Sequence, residues 1–369
     1  MKILILSDSN SIHTIKWVKA LINSGIKIKL FSFFSPEADY FNHNQENMIS
    51  CLNLNQALRL NNNIFSKLVY FKAIKKVKKL ITEFKPDILH AHYASSYGLV
   101  GALTYFHPFV LSVWGEDVYN FPRKSILHKA IIKNNLSKAD RILSTSNVMK
   151  IETQKYTSKE VFVTPFGIDT KRFSPQKVNS LFEPNTLVIG TVKTLEIKYG
   201  IEYLIRAFYL LKKKYPEETL KLLIVGKGSQ EDYLKQLVRD LNIESDTIFT
   251  GFVNHNYVPE YQNMLDISVS VSIDDSESFG VAIIEASACG KPVIVSNVGG
   301  LPEVVENGKT GFVVESKNPE MIVDAISKLI ENPGLRIEMG KNGRDRVMEL
   351  YDWNDSLNKM ISIYQSLLN

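Results

Sequence analysis

The sequence predicts an α/β chain built as two doubly wound halves, and three observations predict it. Short apolar runs alternate with helix-length amphipathic stretches, the alternation stops at a turn-rich segment and starts afresh after it, and 369 residues is a length typical of two domains. In the first half the strands are expected at Lys2–Leu6, Ile26–Phe31, Asp87–His90, Phe109–Val113, Arg141–Ser144 and Val161–Thr164. In the second they are expected at Thr186–Val192, Lys221–Val225, Thr247–Thr250, Ile267–Val271, Pro292–Val295 and Gly311–Val314. The segment between, Pro165–Pro184, carries Pro165, Gly167, Pro175 and Pro184, the composition of a boundary. The division that follows is a first domain over 1–168, a linker over 169–184 and a second domain over 185–352. Helices are expected at 318–331, 335–350 and 353–368. The last carries Trp353, Leu357, Ile361, Tyr364 and Leu368 on one face and is expected, over 353–369, to pack back onto the first domain.

A hydrophobic content of 44% with 10% aromatics supplies real cores and excludes a disordered or fibrous chain. The formal charge of +5 is a mild basic excess that suits an acidic ligand or a membrane surface and is far from that of a nucleic-acid packaging protein. Cys51 and Cys289 are too few for a disulfide scaffold or a thiolate metal site, so a cytoplasmic location is expected. The opening MKILILSDSNSIH reads as a buried strand rather than a secretion signal, and no stretch reaches the ~20 apolar residues of a spanning helix.

In parallel α/β sheets ligands bind beyond the carboxyl ends of the strands, so two such halves facing each other would form a deep cleft. After the strand ISVSVS comes DDSESFGVAIIEA, in which Glu277 and Glu285 stand eight positions apart. Ser278 is expected to cap a helix starting near Phe279, leaving the N–H groups of Gly280, Val281 and Ala282 for a phosphate. On that helix Glu277 and Glu285 would lie roughly 10 Å apart, bracketing a diphosphate, with a carboxylate at each end for hydroxyl pairs. Lys193 and Lys198, in IGTVKTLEIKYG, could neutralise the same diphosphate and stabilise it as it departs.

Taken together, PDILHAHYASSYG, VTPFGIDTKRFSP, LLIVGKGSQ, TGFV, ESFGVAIIEASACGKPVIVSNVGGLPEVV and GKTGFVV resemble glycosyltransferase family 4, the retaining nucleotide-sugar-dependent transferases of GT-B architecture, in which two Rossmann-like domains face a deep cleft. The resemblance covers nearly the whole chain. It implies that Glu285 holds the ribose, Glu277 the donor sugar, and Lys193 and Lys198 the diphosphate. It further implies backbone contacts to the donor from Phe279, Gly280 and Val281, room for the nucleoside at Gly226 and Gly228, and reading of the base edge by the backbone of Phe252 and Val253.

The chain departs from the family pattern in three places. Lys193-Thr194 and Lys198-Tyr199-Gly200 stand where many members have Arg-Leu and Lys-Gly, which keeps charge and loses a bidentate fork. Ser9–His13 replaces the usual glycine pair of the first loop. Trp114-Gly115-Glu116-Asp117 replaces a His-Gly sequence, so a catalytic His is missing there. Asp117 is then a catalytic candidate at a loop position that faces the cleft in the family. His13 and His92, read as strand-end residues, are acceptor-side candidates together with Trp114 and Glu116.

There is no Asp-x-Asp triplet and no cluster of metal-ligand spacing, so neither a metal nor another cofactor is expected, only a nucleotide-sugar co-substrate. The function that the resemblance implies is transfer of a hexosyl or N-acetylhexosaminyl group to a hydroxyl of a glycan or lipid-linked acceptor, in bacterial surface polysaccharide assembly. The alternatives are a nucleotide-sugar 2-epimerase of similar architecture and a non-catalytic sugar binder. Lys67–Lys79 has six lysines, no acid, and apolar residues at helical spacing. It is a candidate for peripheral contact with an anionic membrane at the inner face of the plasma membrane, or else a core-facing stripe with a solvated back. Nucleic acid is not expected as a partner.

Overall fold

The computed structural model describes residues 1–36, 48–54 and 65–368, with only the backbone of 65–68. It divides into two compact units, Met1–Pro165 with Ser356 onward, and Phe166–Asp355.

The first unit runs β1 (Lys2–Leu6), α1 (Ile12–Asn23), β2 (Lys27–Ser32), β3 (Ile49–Cys51), α2 (Phe65–Phe84), β4 (Ile88–His92), α3 (Tyr97–Thr104), β5 (Phe109–Ser112), α4 (Glu116–Tyr119), α5 (Ile126–Lys138), β6 (Arg141–Ser144), α6 (Asn147–Gln154) and β7 (Val161–Val163). The sheet is parallel throughout, in the order β3-β2-β1-β4-β5-β6-β7. Every residue of β4 and β5 is buried, because helices cover both faces and no polar side survives.

In the second unit the elements are β8 (Leu187–Val192), α7 (Ile201–Lys214), β9 (Leu220–Val225), α8 (Glu231–Asp240), β10 (Thr247–Phe249), α9 (Val258–Met264), β11 (Ile267–Ser270), α10 (Val281–Ala288), β12 (Val293–Ser296), α11 (Leu301–Val304), β13 (Gly311–Val314), α12 (Pro319–Glu331) and α13 (Pro333–Leu350). Its parallel sheet has the order β10-β9-β8-β11-β12-β13. Two Asn-Pro pairs start the last two of these helices. Asn318 Oδ1 accepts from Met321 N at 3.0 Å and Asn332 Oδ1 from Leu335 N at 2.9 Å, while each proline takes the first helical position, where no N–H is needed.

Residues 169–184 lie inside the second unit rather than forming a separate linker. Phe173 is buried, Gln176 N donates to Asn263 Oδ1 at 2.9 Å, and Asn263 Nδ2 donates to Ser174 O at 3.0 Å. The last helix, α14 (Trp353–Gln365), buries Ser356, Met360 and Tyr364. Leu368, expected on that face, is exposed beyond the helix end. Tyr364 Oη meets His90 Nδ1 at 2.7 Å inside the first unit.

The apolar stripe of α2 is consumed by the core: Ala73, Val77 and Leu80 are buried, and Tyr70, Ile74, Ile81 and Phe84 pack against the same cluster. Lys72, Lys75, Lys78 and Lys79 are exposed, and the side chain of Lys67 lies outside the described residues. Among the described residues, the solvent side of this helix carries these lysines together with Phe71, which is exposed. Among the described residues no helix is long and apolar enough to cross a membrane.

Candidate functional site

In a doubly wound sheet the strand order reverses once, and the loops leaving the two strands at the reversal splay apart to leave a crevice. In the second unit those strands are β8 and β11, and their loops are 193–200 and 271–280, which carry Lys193, Lys198 and Glu277. The loops are laced together, Ile273 N donating to Lys198 O at 2.8 Å. Lys193 Nζ donates to Glu277 Oε2 at 2.8 Å, with both side chains only 11–12% exposed. The centroid of the Tyr199 ring lies 4.3 Å from Lys193 Nζ and 5.3 Å from Lys198 Nζ, so one aromatic ring attracts both ammonium groups. Tyr199 therefore gathers the two cations that the sequence left five residues apart. Tyr199→Leu should weaken binding of a nucleoside diphosphate by about 3–30-fold, the range of a partly desolvated cation–π contact, while Tyr199→Phe stays close to wild type. Titration calorimetry with the two variants distinguishes this from a role for the hydroxyl.

The segment after Glu277 differs from expectation. Helix α10 begins at Val281, not near Phe279, and Gly280 rather than Ser278 occupies the cap position, in the left-handed region at φ 86° with no side chain closing the turn. Glu277 thus sits in the loop ahead of the helix, and the spacing drawn from a continuous helix does not apply. Its carbonyl accepts from Gly300 N at 2.8 Å, which ties the loop to the turn after β12. Ser276 Oγ is buried in this loop with no hydrogen-bond partner. The Phe279 ring belongs to the core, edge-on to Tyr351 at 5.4 Å and Phe166 at 6.1 Å, leaving the backbone and the first-turn N–H groups of α10 as its local polar surface.

Glu285, one turn into α10, is 6% exposed, and its Oε1 lies 3.1 Å from His255 Nε2. A Cβ on Gly226 would lie 2.0 Å from Lys193 O and one on Gly228 2.3 Å from Leu195 O, so both glycines admit the neighbouring backbone. Gly226 also has φ 141°. Val253 packs against a small cluster with Val188 and Leu223, while the Phe252 side chain is 76% exposed.

The first unit has its own crevice at the β1/β4 reversal. A cavity of about 580 Å³ is lined by Ser7, Asp8, Ser11, His92, Tyr93, Trp114 and Glu116, with Phe33, Tyr70 and Tyr97 among its apolar walls. His92 Nδ1 lies 3.1 Å from Ser7 Oγ, and its ring lies 4.5 Å from both the Trp114 and His90 rings. His13 is on α1, not at a strand end, with its ring 6.0 Å from Trp114. Tyr93 is held at φ 76°, a costly conformation for an aromatic residue, with its hydroxyl directed to Glu116. Asp117 is not among the residues that line this cavity. It is fully buried and accepts backbone N–H groups from Ala94 at 2.6 Å, Gly115 at 2.8 Å and Trp114 at 3.1 Å, pinning the two loops that carry Tyr93 and Trp114. Burial raises its carboxyl to about 6 against the pull of those N–H groups.

Burial, and then the charge of His13, lower His92 to about 3. Burial and then His92 hold His90 well below the ordinary histidine value. Both rings are therefore neutral in the fold, whereas the unfolded chain takes up protons near 6.5. Their contribution to stability is full above that pH and falls as pH drops below it. His92→Asn should flatten this dependence by about 2 kcal/mol between pH 7 and pH 5, read from urea midpoints. Asp117 acts in the opposite sense and is common to both proteins, so it cancels in the comparison.

Tyr93, Tyr199, Arg172 and His255 escape sequence reasoning. Tyr199 appears there as the residue standing where many family members have glycine, and Tyr93 and Arg172 only as unremarked members of quoted stretches. Among the described residues no group of three or more His, Cys, Asp or Glu side chains is placed to hold a metal ion.

Two compact units, each a parallel sheet wrapped by helices with a crevice at its strand-order reversal, define the two-domain GT-B architecture. The glycosyl transferases group 1 model matches residues 173–346 and the glycosyl transferase 4-like model matches residues 2–146. The chain belongs to the group 1, family 4-like glycosyltransferases, and it is an enzyme of that class. It is similar to an uncharacterized glycosyltransferase of Methanocaldococcus jannaschii, 25% identical over 96% of this chain and 93% of that one. It is also similar to a GDP-mannose-dependent alpha-(1-6)-phosphatidylinositol monomannoside mannosyltransferase of Mycolicibacterium smegmatis, 30% identical over 51% of this chain and 52% of that one. Among solved structures, the sucrose-phosphate synthase of Thermosynechococcus elongatus superposes with a TM-score of 0.82 at 22% identity, covering 100% of this chain and 99% of the other.

Proposed function

We propose that the chain moves a hexosyl or N-acetylhexosaminyl group, with retention of anomeric configuration, from a nucleotide diphosphate sugar to a hydroxyl of a glycan or lipid-linked acceptor in bacterial surface polysaccharide assembly. The observation that carries this reading is the Lys193–Glu277 pair at the β8/β11 reversal, beside the uncapped start of α10. Two ammonium groups on one aromatic ring and the helix N–H groups of Gly280, Val281 and Ala282 suit a diphosphate, and the orphaned Ser276 hydroxyl adds a donor in the same loop. In this reading the diphosphate draws Lys193 from Glu277, which then takes the hydroxyls of the donor sugar, while Glu285 takes the ribose diol. The anomeric C–O bond to the β-phosphate breaks as the acceptor oxygen bonds to the same carbon on the same face, the acceptor's proton passes to the departing phosphate oxygen, and Lys193 and Lys198 stabilise the charge left on the diphosphate.

The acceptor is assigned to the first unit's cavity, which His92, Trp114 and Glu116 line, with His13 beside Trp114. Asp117 positions that wall rather than touching substrate. The exposed lysines of α2 suit an anionic membrane surface through charge alone. The GDP-mannose dependence of the mycobacterial relative agrees with a nucleotide-sugar donor.

The test is incubation with UDP-, GDP- and ADP-sugars, with and without polyprenyl-linked and free glycan acceptors, followed by nucleoside diphosphate release and the anomeric proton signals of the product. Acceptor-dependent release with the donor configuration kept is expected. Conversion of donor without any acceptor would instead identify a 2-epimerase, and binding without turnover of any sugar would identify a non-catalytic binder.

A further inference from the structure

We propose that His255 is a positioning residue for Glu285, holding the carboxylate that takes the ribose diol, and that Arg172 sets the histidine tautomer this requires. The inference rests on the reading of Glu285 given above and extends it to two residues outside the motif.

The proton assignment follows from the geometry. Arg172 Nη2 lies 3.2 Å from His255 Nδ1, and the same nitrogen donates to His255 O. A guanidinium has only donors, so Nδ1 must present its lone pair and the ring proton must sit on Nε2. Nε2–H then points at Glu285 Oε1, 3.1 Å away, and donates to it. A neutral ring protonated at Nδ1 would set N–H against N–H, so the arginine disfavours the other tautomer. The Phe173 ring, 5.8 Å from the His255 ring, packs under the arrangement, and the Arg172 guanidinium lies 5.3 Å over that same phenyl ring.

The consequence lies at the carboxylate. Glu285 could otherwise rotate about its terminal bond or swing between rotamers, and a diol needs both oxygens presented in one plane. One oxygen is anchored by the Nε2–H donor, and among the described residues the other has no hydrogen-bond partner. The anchor orients the carboxylate, as buried donors behind functional carboxylates do elsewhere.

The experiment measures the dissociation constants of UDP, GDP and ADP and of their 2′,3′-dideoxy forms, for wild type, His255→Asn and His255→Gln, with thermal melts to verify folding. Glutamine can place its amide N–H near the position of Nε2, and asparagine is too short. Wild type is expected to prefer one ribonucleotide over its dideoxy form by about 10–100-fold, the worth of hydrogen bonds to a charged group. His255→Asn should lose most of that preference while the dideoxy form binds as before, and His255→Gln should recover it. If His255→Asn keeps the wild-type preference, or glutamine and asparagine behave alike, the positioning role is overturned. If wild type itself does not distinguish ribose from dideoxyribose, the assignment of Glu285 to the diol fails first, and this inference with it.

Discussion

Lys193→Ala is expected to lower the rate of sugar transfer by about 10²–10³-fold, the effect of removing one group that stabilises developing charge on a leaving group. Two losses combine. The cation that meets the diphosphate disappears, and Glu277, whose side chain is 11% exposed and ion-paired in the wild type, is left as an uncompensated carboxylate beside an anion site. Glu277→Gln should reduce turnover comparably by removing the acceptor for the sugar hydroxyls, yet it relieves the unpaired charge. The double variant should therefore be less impaired than the product of the two single effects, since the residues share one partner and one ligand. Steady-state release of nucleoside diphosphate across the four proteins measures this. Strict multiplicativity would mean that the pair does not act as a unit.

Gly226→Ala is expected to have the largest effect on stability of any single methyl addition in the second unit. The added carbon would lie 2.0 Å from Lys193 O, on a residue already at φ 141°, so the loop carrying Lys193 must move or β9 must bend. Overpacking and a disfavoured backbone conformation together cost roughly 3 kcal/mol or more. For a unit of this size that is a fall of about 6–12 °C in its melting temperature. Diphosphate affinity should fall with it, because Lys193 N is bonded to Val225 O at 2.9 Å and the loop cannot shift alone. Calorimetric melts and titrations on the same preparation test both parts. An unchanged melting temperature with weakened nucleotide binding would return Gly226 to the role first expected of it, room for the ligand.

How much could be read from the sequence depends on how local the determining physics is. Strands such as Arg141–Ser144 and Gly311–Val314 are apolar runs closed by breakers at both ends, and their bounds match the structure. β3 is three half-buried residues, Ile49–Cys51, that become a strand only by pairing with β2, and no pattern within them announces it. The cap of α10 was misread because serine is a good cap by residue type, whereas here the backbone turn at Gly280 decides. Lys193, Lys198 and Glu277 could be named because they stand in loops whose place at the reversal follows from strand order. Their mutual geometry, with Tyr199 between the lysines, could not. His255 and Arg172 reach Glu285 from 30 and 113 positions away, separations across which only the folded sheet carries information. Asp117 was recognisable as special but not as buried, since the three N–H groups that enclose it come from two loops brought together by β4 and β5.

The central claim is that a diphosphate is gripped between Lys193 and the first turn of α10, and diffraction from crystals grown with UDP, GDP or ADP addresses it most directly. The account predicts phosphate density within hydrogen-bonding distance of Val281 N and Ala282 N, with Lys193 Nζ turned from Glu277 toward it. Phosphate density bound elsewhere on the chain, with the Lys193–Glu277 pair intact, would contradict it.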